Sequence, residues 1–131
     1  MRVLIADDLA SMRRAVRSIL EGHAGLEIVG EAANGSEAIG AARALRPDLI
    51  IMDWKMPVLD GLSAAQIIKE RIPETVILMF SRYKDPQFIE LAKNAGLNGF
   101  VAKEAGAQAL LNAIDAVMQG KKHFPALTAH G

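Results

Sequence analysis

The chain has 131 residues, 51% of them hydrophobic, with 15 basic and 15 acidic side chains and no cysteine. Its length and apolar content suit one compact domain with a sizeable core and exclude an intrinsically disordered chain. A formal net charge of zero argues against bulk attraction to nucleic acid or an anionic membrane, and the lack of cysteine excludes disulfides and thiolate metal sites.

Five short apolar runs alternate with helical patterns. Val3–Ala6 reads as the first strand, and Asp7-Asp8 follows it directly, too early for a signal-peptide core. Met12, Val16, Ile19 and Leu20 then show the i, i+4, i+7, i+8 spacing of a helix with one buried stripe, closed near Gly22. Glu27–Ala32 is the second strand. Asn34 with Glu37 resembles a capping box for an alanine-rich helix over about Glu37–Leu45, which Pro47 stops. Leu49–Met52 is the third strand, ending at Asp53, and a helix over about Leu62–Ile72 runs to Pro73. Val76–Phe80 is the fourth strand, ending at Ser81. Asp85-Pro86 supplies a cap and a helix-starting proline, with Phe88, Leu91, Ala92 and Ala95 as the expected buried stripe and Gly96 as the stop. Gly99–Ala102 is the fifth strand, ending at Lys103, and Leu110, Ile114, Val117 and Met118 mark a last helix that closes at Gly120. From Lys121-Lys122-His123-Phe124-Pro125 onward the periodicity is lost, so residues 1–121 read as the domain and 122–131 as a tail or the start of a linker. No apolar run approaches a membrane span, and a soluble cytoplasmic protein with no membrane contact is expected.

Most of the strand runs are nearly continuous and rich in Val, Ile or Leu, as in strands covered on both faces. Five β-α units with short connections imply an α/β fold: one parallel sheet, right-handed crossovers and helices on both faces. The carboxyl ends of such strands meet along one edge, where open α/β sheets bind ligands. Asp7, Asp8, Asp53, Ser81 and Lys103 would meet there. Close carboxylates repel and raise at least one pKa unless a cation compensates, and Mg²⁺ with oxygen ligands is the natural partner. A carboxylate can also accept a phosphoryl group, a reaction governed by positioning and charge neutralisation. Taken singly, Asp7-Asp8 could cap the first helix, Asp53 could cap a loop, and Ser81 and Lys103 could be solvated surface groups. Their conjunction carries the reading.

With those residues in place, the chain resembles the receiver domain of bacterial two-component response regulators. The likeness rests on Asp7-Asp8, on Asp53 with Met56-Pro57 and Asp60-Gly61, on Ser81 and on Lys103, and it spans about residues 2–120. Gly99-Phe100-Val101-Ala102-Lys103-Glu104, with Leu110-Leu111 and Gly120-Lys121, is most similar to the NarL/FixJ (LuxR-type) group. The resemblance implies a flavodoxin-like (βα)5 fold with strand order 2-1-3-4-5. It implies a signalling switch, not an enzyme, in which Asp53 accepts phosphate from a sensor histidine kinase. Mg²⁺ would be held by Asp7, Asp8, Asp53 and the Lys55 backbone carbonyl. Lys103 would pair with Asp53 before phosphorylation and with the phosphoryl group after it. Ser81 and Phe100 would form the switch. The helix 4–strand 5–helix 5 face would then engage a partner, an output domain or a second copy in a phosphorylation-dependent homodimer. DNA would be contacted only through an output domain outside this chain, and transcription regulation is the expected output. A standalone single-domain regulator is the alternative context. Two positions depart from the pattern: Arg82 stands where a small residue is usual, and is expected to screen the site from water or pair with an acid; Glu104 stands where many receivers have proline.

Other chemistries fit less well. A Mg²⁺-dependent aspartyl-phosphate phosphatase or phosphotransferase would want a second acid two residues after Asp53, where Lys55 stands. An FMN carrier would need a hydroxyl-rich phosphate loop after the first strand, where Asp7-Asp8 would repel the phosphate. The Gly30–Ser36 stretch has the glycine spacing of a P-loop but no lysine before its hydroxyl.

Overall fold

A computed structural model describes residues 1–125. The apolar runs form β1 (Arg2–Ala6), β2 (Glu27–Ala32), β3 (Leu49–Met52), β4 (Val76–Ser81) and β5 (Gly99–Ala102). They alternate with α1 (Ala10–Glu21), α2 (Gly35–Leu45), α3 (Gly61–Arg71), α4 (Pro86–Asn94) and α5 (Ala107–Met118), and a single 3₁₀ turn, Lys103–Ala105, follows β5. All neighbouring strands are parallel, in the order β2-β1-β3-β4-β5 that the resemblance implied.

The central strands are largely apolar because each serves two cores, whereas the edge strand β2 keeps Glu27 and Glu31 exposed. Leu4, Ile50, Ile77 and Phe100 face α2, α3 and α4 on one side of the sheet. Val3, Ile5, Leu49, Ile51, Leu78 and Val101 face α1 and α5 on the other. The weak patterning of α2 and α3 has a packing cause: apart from Ile68, the apolar side chains they bury are the small Ala38, Ala42, Ala64 and Ala65, so the two helices lie close to each other and α2 lies close to β1 and β2.

Local signals were honoured unevenly. Asn34 caps α2 through its side-chain oxygen, which accepts from the Glu37 N–H at 2.8 Å, while the Glu37 carboxylate accepts from the Ala33 N–H. Asp60 caps α3 in the same way by accepting from the Ser63 N–H. Asp85 occupies the N-cap of α4 but makes no side-chain capping bond. Leu91 does not join the buried stripe of α4: Ile89 and Ala92 define that face, and Leu91, turned about 200° from Ile89 at ~100° per residue, is 47% exposed.

Gly61 shows why the residue after Asp60 is so small. A Cβ there would stand 1.8 Å from the Asp53 carbonyl oxygen, because the first turn of α3 presses on the loop leaving β3, and the Gly61 N–H donates to the Trp54 carbonyl at 2.7 Å. Gly61→Ala is therefore expected to cost about 3 kcal/mol in urea unfolding, through displaced backbone. Gly40→Ala, at an exposed position in the middle of α2 with no atom within 4 Å of the new Cβ, is expected to stabilise the fold by about 0.5–1 kcal/mol. Equal effects of the two substitutions would refute the close approach at Gly61.

Candidate functional site

The carboxyl edge of the sheet gathers all five polar residues. The ladder reaches past the strand ends: the Asp7 N–H donates to the Ala32 carbonyl at 3.0 Å and the Asp53 N–H to the Ala6 carbonyl at 2.9 Å, so both aspartates leave from anchored backbone. Ser81 is the last residue of β4 and is in register with Ala102, which puts it next to Lys103. Asp7, Asp8 and Asp53 each offer a carboxylate oxygen within 4.8 Å of the others. Asp7 and Asp53 are buried and Asp8 is exposed, so the cluster opens to solvent on one side.

Lys103 ties the acids together. Its ammonium donates to Asp7 Oδ2 at 2.7 Å and lies 3.4 Å from Asp53 Oδ1. The expected pairing of Lys103 with Asp53 is thus shared, and Asp7 holds the shorter contact. Asp53 Oδ1 also accepts from the Trp54 N–H at 2.9 Å. Asp7 Oδ1 accepts from the Leu9 N–H at 2.9 Å, and the Asp7 carbonyl accepts from Arg13 Nη1 at 2.6 Å. Helix capping does not explain the acid pair, since the N-cap of α1 is Leu9 and no side chain caps it. Ser81 is fully buried, and its Oγ accepts from the Tyr83 N–H at 2.9 Å.

Electrostatics follow from this packing. Burial, and then the neighbouring charge of Asp7, push the Asp53 carboxyl up to about 6; Lys103 and the Trp54 N–H oppose the rise without cancelling it. Three carboxylates facing one ammonium leave excess negative charge, which suits a hard divalent cation with oxygen ligands.

Several contributors could not be seen in the residue pattern. Trp54 is buried, with its ring edge-on to Phe88 at 5.2 Å between centroids and tilted to Phe100 at 6.5 Å, so the loop carrying Asp53 is packed against α4 and β5. Arg13 fastens the Asp7 backbone while also pairing with Glu31 at 2.8 Å. Arg17 and, to a lesser degree, Arg13 hold Glu31 below the ordinary carboxylate range. These links join residues far apart in sequence and leave no periodic trace. Arg82 is exposed and makes no ion pair among the described residues, so the expected acid partner is missing. The Lys55 ammonium lies 5.4 Å from the Tyr83 ring centroid, and Glu104 pairs with Lys84.

Comparison with known proteins agrees with this arrangement. The family model described as the response regulator receiver domain matches residues 3–115. The chain is 33% identical over 123 residues to the response regulator protein VraR of Staphylococcus aureus, covering 94% of this chain and 59% of that protein. It is 45% identical over 104 residues to a protein-glutamate methylesterase/protein-glutamine glutaminase of Alkalilimnicola ehrlichii, covering 78% of this chain and 26% of that protein. The crystal structure of a LuxR-family two-component response regulator from an Aurantimonas species superposes with a TM-score of 0.90 at 30% identity, over 93% of this chain and 87% of that one. The chain therefore spans little more than half the length of VraR and about a quarter of the methylesterase.

The raised Asp53 carboxyl makes stability depend on pH. In the fold Asp53 keeps its proton up to about pH 6, whereas the unfolded chain releases it near 3.8. The folded state binds more protons between those values, so stability falls as pH rises through that window. Without divalent cation, Asp53→Asn is expected to be about 1–3 kcal/mol more stable than the parent at pH 7.5, and the gap should close below pH 4. Parallel stability curves for the two proteins in urea would contradict the buried, charge-crowded aspartate.

Proposed function

This chain belongs to the response regulator receiver domain family, and on that premise we propose that Asp53 is the phosphoacceptor of a phosphorylation-dependent signalling switch. The observation that carries the reading is the Lys103 ammonium set between Asp7 and Asp53 at the carboxyl edge of the sheet, with Asp8 beside them at the opening. The donor is a phosphohistidine on a sensor histidine kinase. An Asp53 carboxylate oxygen attacks phosphorus, a P–O bond forms, and the P–N bond of the donor breaks as the imidazole leaves. Asp7, Asp8, Asp53 and the Lys55 carbonyl would hold Mg²⁺, which when bound neutralises charge on the transferring group.

The remaining steps belong to side chains. Lys103, already poised 3.4 Å from Asp53 Oδ1, turns to a phosphoryl oxygen. Ser81 gives up the Tyr83 N–H and donates its hydroxyl to another. Phe100, 1% exposed and on the neighbouring strand β5, repacks with it. Around them, Tyr83 and Leu91 are large apolar side chains left exposed on the α4 side of the molecule, a surface for an output domain or a second copy. Likeness to LuxR-family regulators supports transcription control as the output, with DNA met by a segment outside this chain. The chain acts in the cytoplasm, where the kinase domains of such systems work, and no helix among the described residues is long and apolar enough to cross a membrane. It is a signalling module with no turnover of small phosphate esters: Lys55 fills the position where such an enzyme would carry its second acid.

With Mg²⁺ and a small-molecule phosphodonor, the purified chain is expected to gain the mass of one phosphoryl group, and Asp53→Asn to gain none. Trp54, the only tryptophan and hydrogen-bonded through its backbone N–H to Asp53, should report first Mg²⁺ and then beryllofluoride as fluorescence changes. A modified Asp53→Asn protein, or an unresponsive Trp54 together with an unchanged mass, would count against the reading.

A further inference from the structure

The stretch beyond α5 turns back onto the sheet. His123 pairs in parallel with Gly99 on the outer edge of β5: its N–H donates to the Asn98 carbonyl at 2.9 Å, and its carbonyl accepts from the Phe100 N–H at 2.8 Å. Gly99 makes this possible, since a Cβ there would stand 2.7 Å from the His123 carbonyl oxygen. Phe124 packs against the same core cluster as Phe100, Ile89 and Leu97, and the Lys93 ammonium lies 5.6 Å from its ring centroid. Lys122 Nζ donates to the Leu97 carbonyl at 3.4 Å. Pro125 has no N–H to continue the ladder, and with His123 it lines a cavity against Phe100 and Ala102.

Phe100 is thus held on two sides, by Trp54 within the core and by this segment along the strand edge. We propose that Lys122–Pro125 is a strap that keeps the Phe100 ring buried, with Phe124 as a positioning residue acting through Phe100. The proposal rests on the reading of Phe100 and Ser81 as the switch pair. His123 and Pro125 lie along the outer edge of β5 and line a cavity with Phe100 there. When Ser81 moves toward a phosphoryl group on Asp53 it leaves space beside β5, and a buried ring fills that space because protein interiors keep few voids. Docking of the strap therefore favours the phosphorylated arrangement, and by reciprocity phosphorylation tightens the strap. A segment that merely covered an edge strand would add stability and leave phosphoryl-site affinity untouched.

The test titrates the full chain in Mg²⁺ with beryllofluoride, read by Trp54 fluorescence, and follows exchange of the Phe100 amide. Phe124→Ala, and His123→Pro, which removes the N–H given to Asn98, are expected to speed Phe100 amide exchange and weaken apparent beryllofluoride affinity about 5-fold. Phe124→Tyr, which keeps the ring, should restore both. In the parent, bound beryllofluoride should slow exchange of the same amide by a similar factor. Rapid Phe100 exchange in the variants with beryllofluoride affinity equal to the parent would overturn the strap and leave the receiver reading standing. A parent chain that answers neither beryllofluoride nor a phosphodonor would overturn both.

Discussion

One ammonium between two buried carboxylates organises this molecule. Lys103 must neutralise Asp7 and Asp53 at once, at 2.7 and 3.4 Å, in surroundings where unpaired charge is costly. It does so incompletely, because Asp53 still feels the charge of Asp7 and the loss of water, and its carboxyl stays well above the usual range. The fold thus carries a standing charge imbalance at a solvent-facing edge. A divalent cation that resolves the imbalance gains a large differential interaction with this arrangement, which is what a two-state switch requires of its ligand.

The scaffold serves that imbalance. Asp7 and Asp53 extend from β1 and β3, adjacent strands whose hydrogen bonds continue through the aspartates themselves. Lys103 follows β5, two strands away from β3, and spans the gap by reaching over the end of β4, where Ser81 sits. Any shift of β5 relative to β3 therefore changes the Lys103 contacts. Trp54 and Phe100 place the loop carrying Asp53 and β5 in one aromatic cluster with Phe88 of α4, so the acid site and the α4 surface are joined by packed side chains. Such packing matters because close-packed interiors respond by switching between arrangements more readily than by deforming smoothly.

The strap adds a second hold on the same strand. Its contacts involve Gly99 and Phe100, the first two residues of β5, while Lys103 lies just beyond the last. One short strand is therefore gripped at its start by the chain that leaves the domain and at its end by the chemistry of the site. His123 and Phe124, at the beginning of the expected tail, contact the sheet and core; residues 126–131 lie outside the described residues.

Strand positions, helix positions and the convergence of Asp7, Asp8, Asp53, Ser81 and Lys103 were legible in the residues alone. Continuous Val, Ile and Leu runs admit few structures other than buried parallel strands, and alternation with helices dictates which ends of those strands line up. Proline and cap residues marked the helix limits to within a turn. On α4, Phe88, Ala92 and Ala95 pack on the core as expected, but Leu91 was misplaced there and Ile89 missed, because the two are equally apolar and only the tertiary packing selects between them. The sharing of Lys103 between two acids, the Arg13 clasp on Asp7, the aromatic bridge from Trp54 and the return of His123 to β5 belong to the tertiary structure. Each joins segments with no fixed spacing between them, so their geometry is set by how the layers pack and by no local preference of the chain.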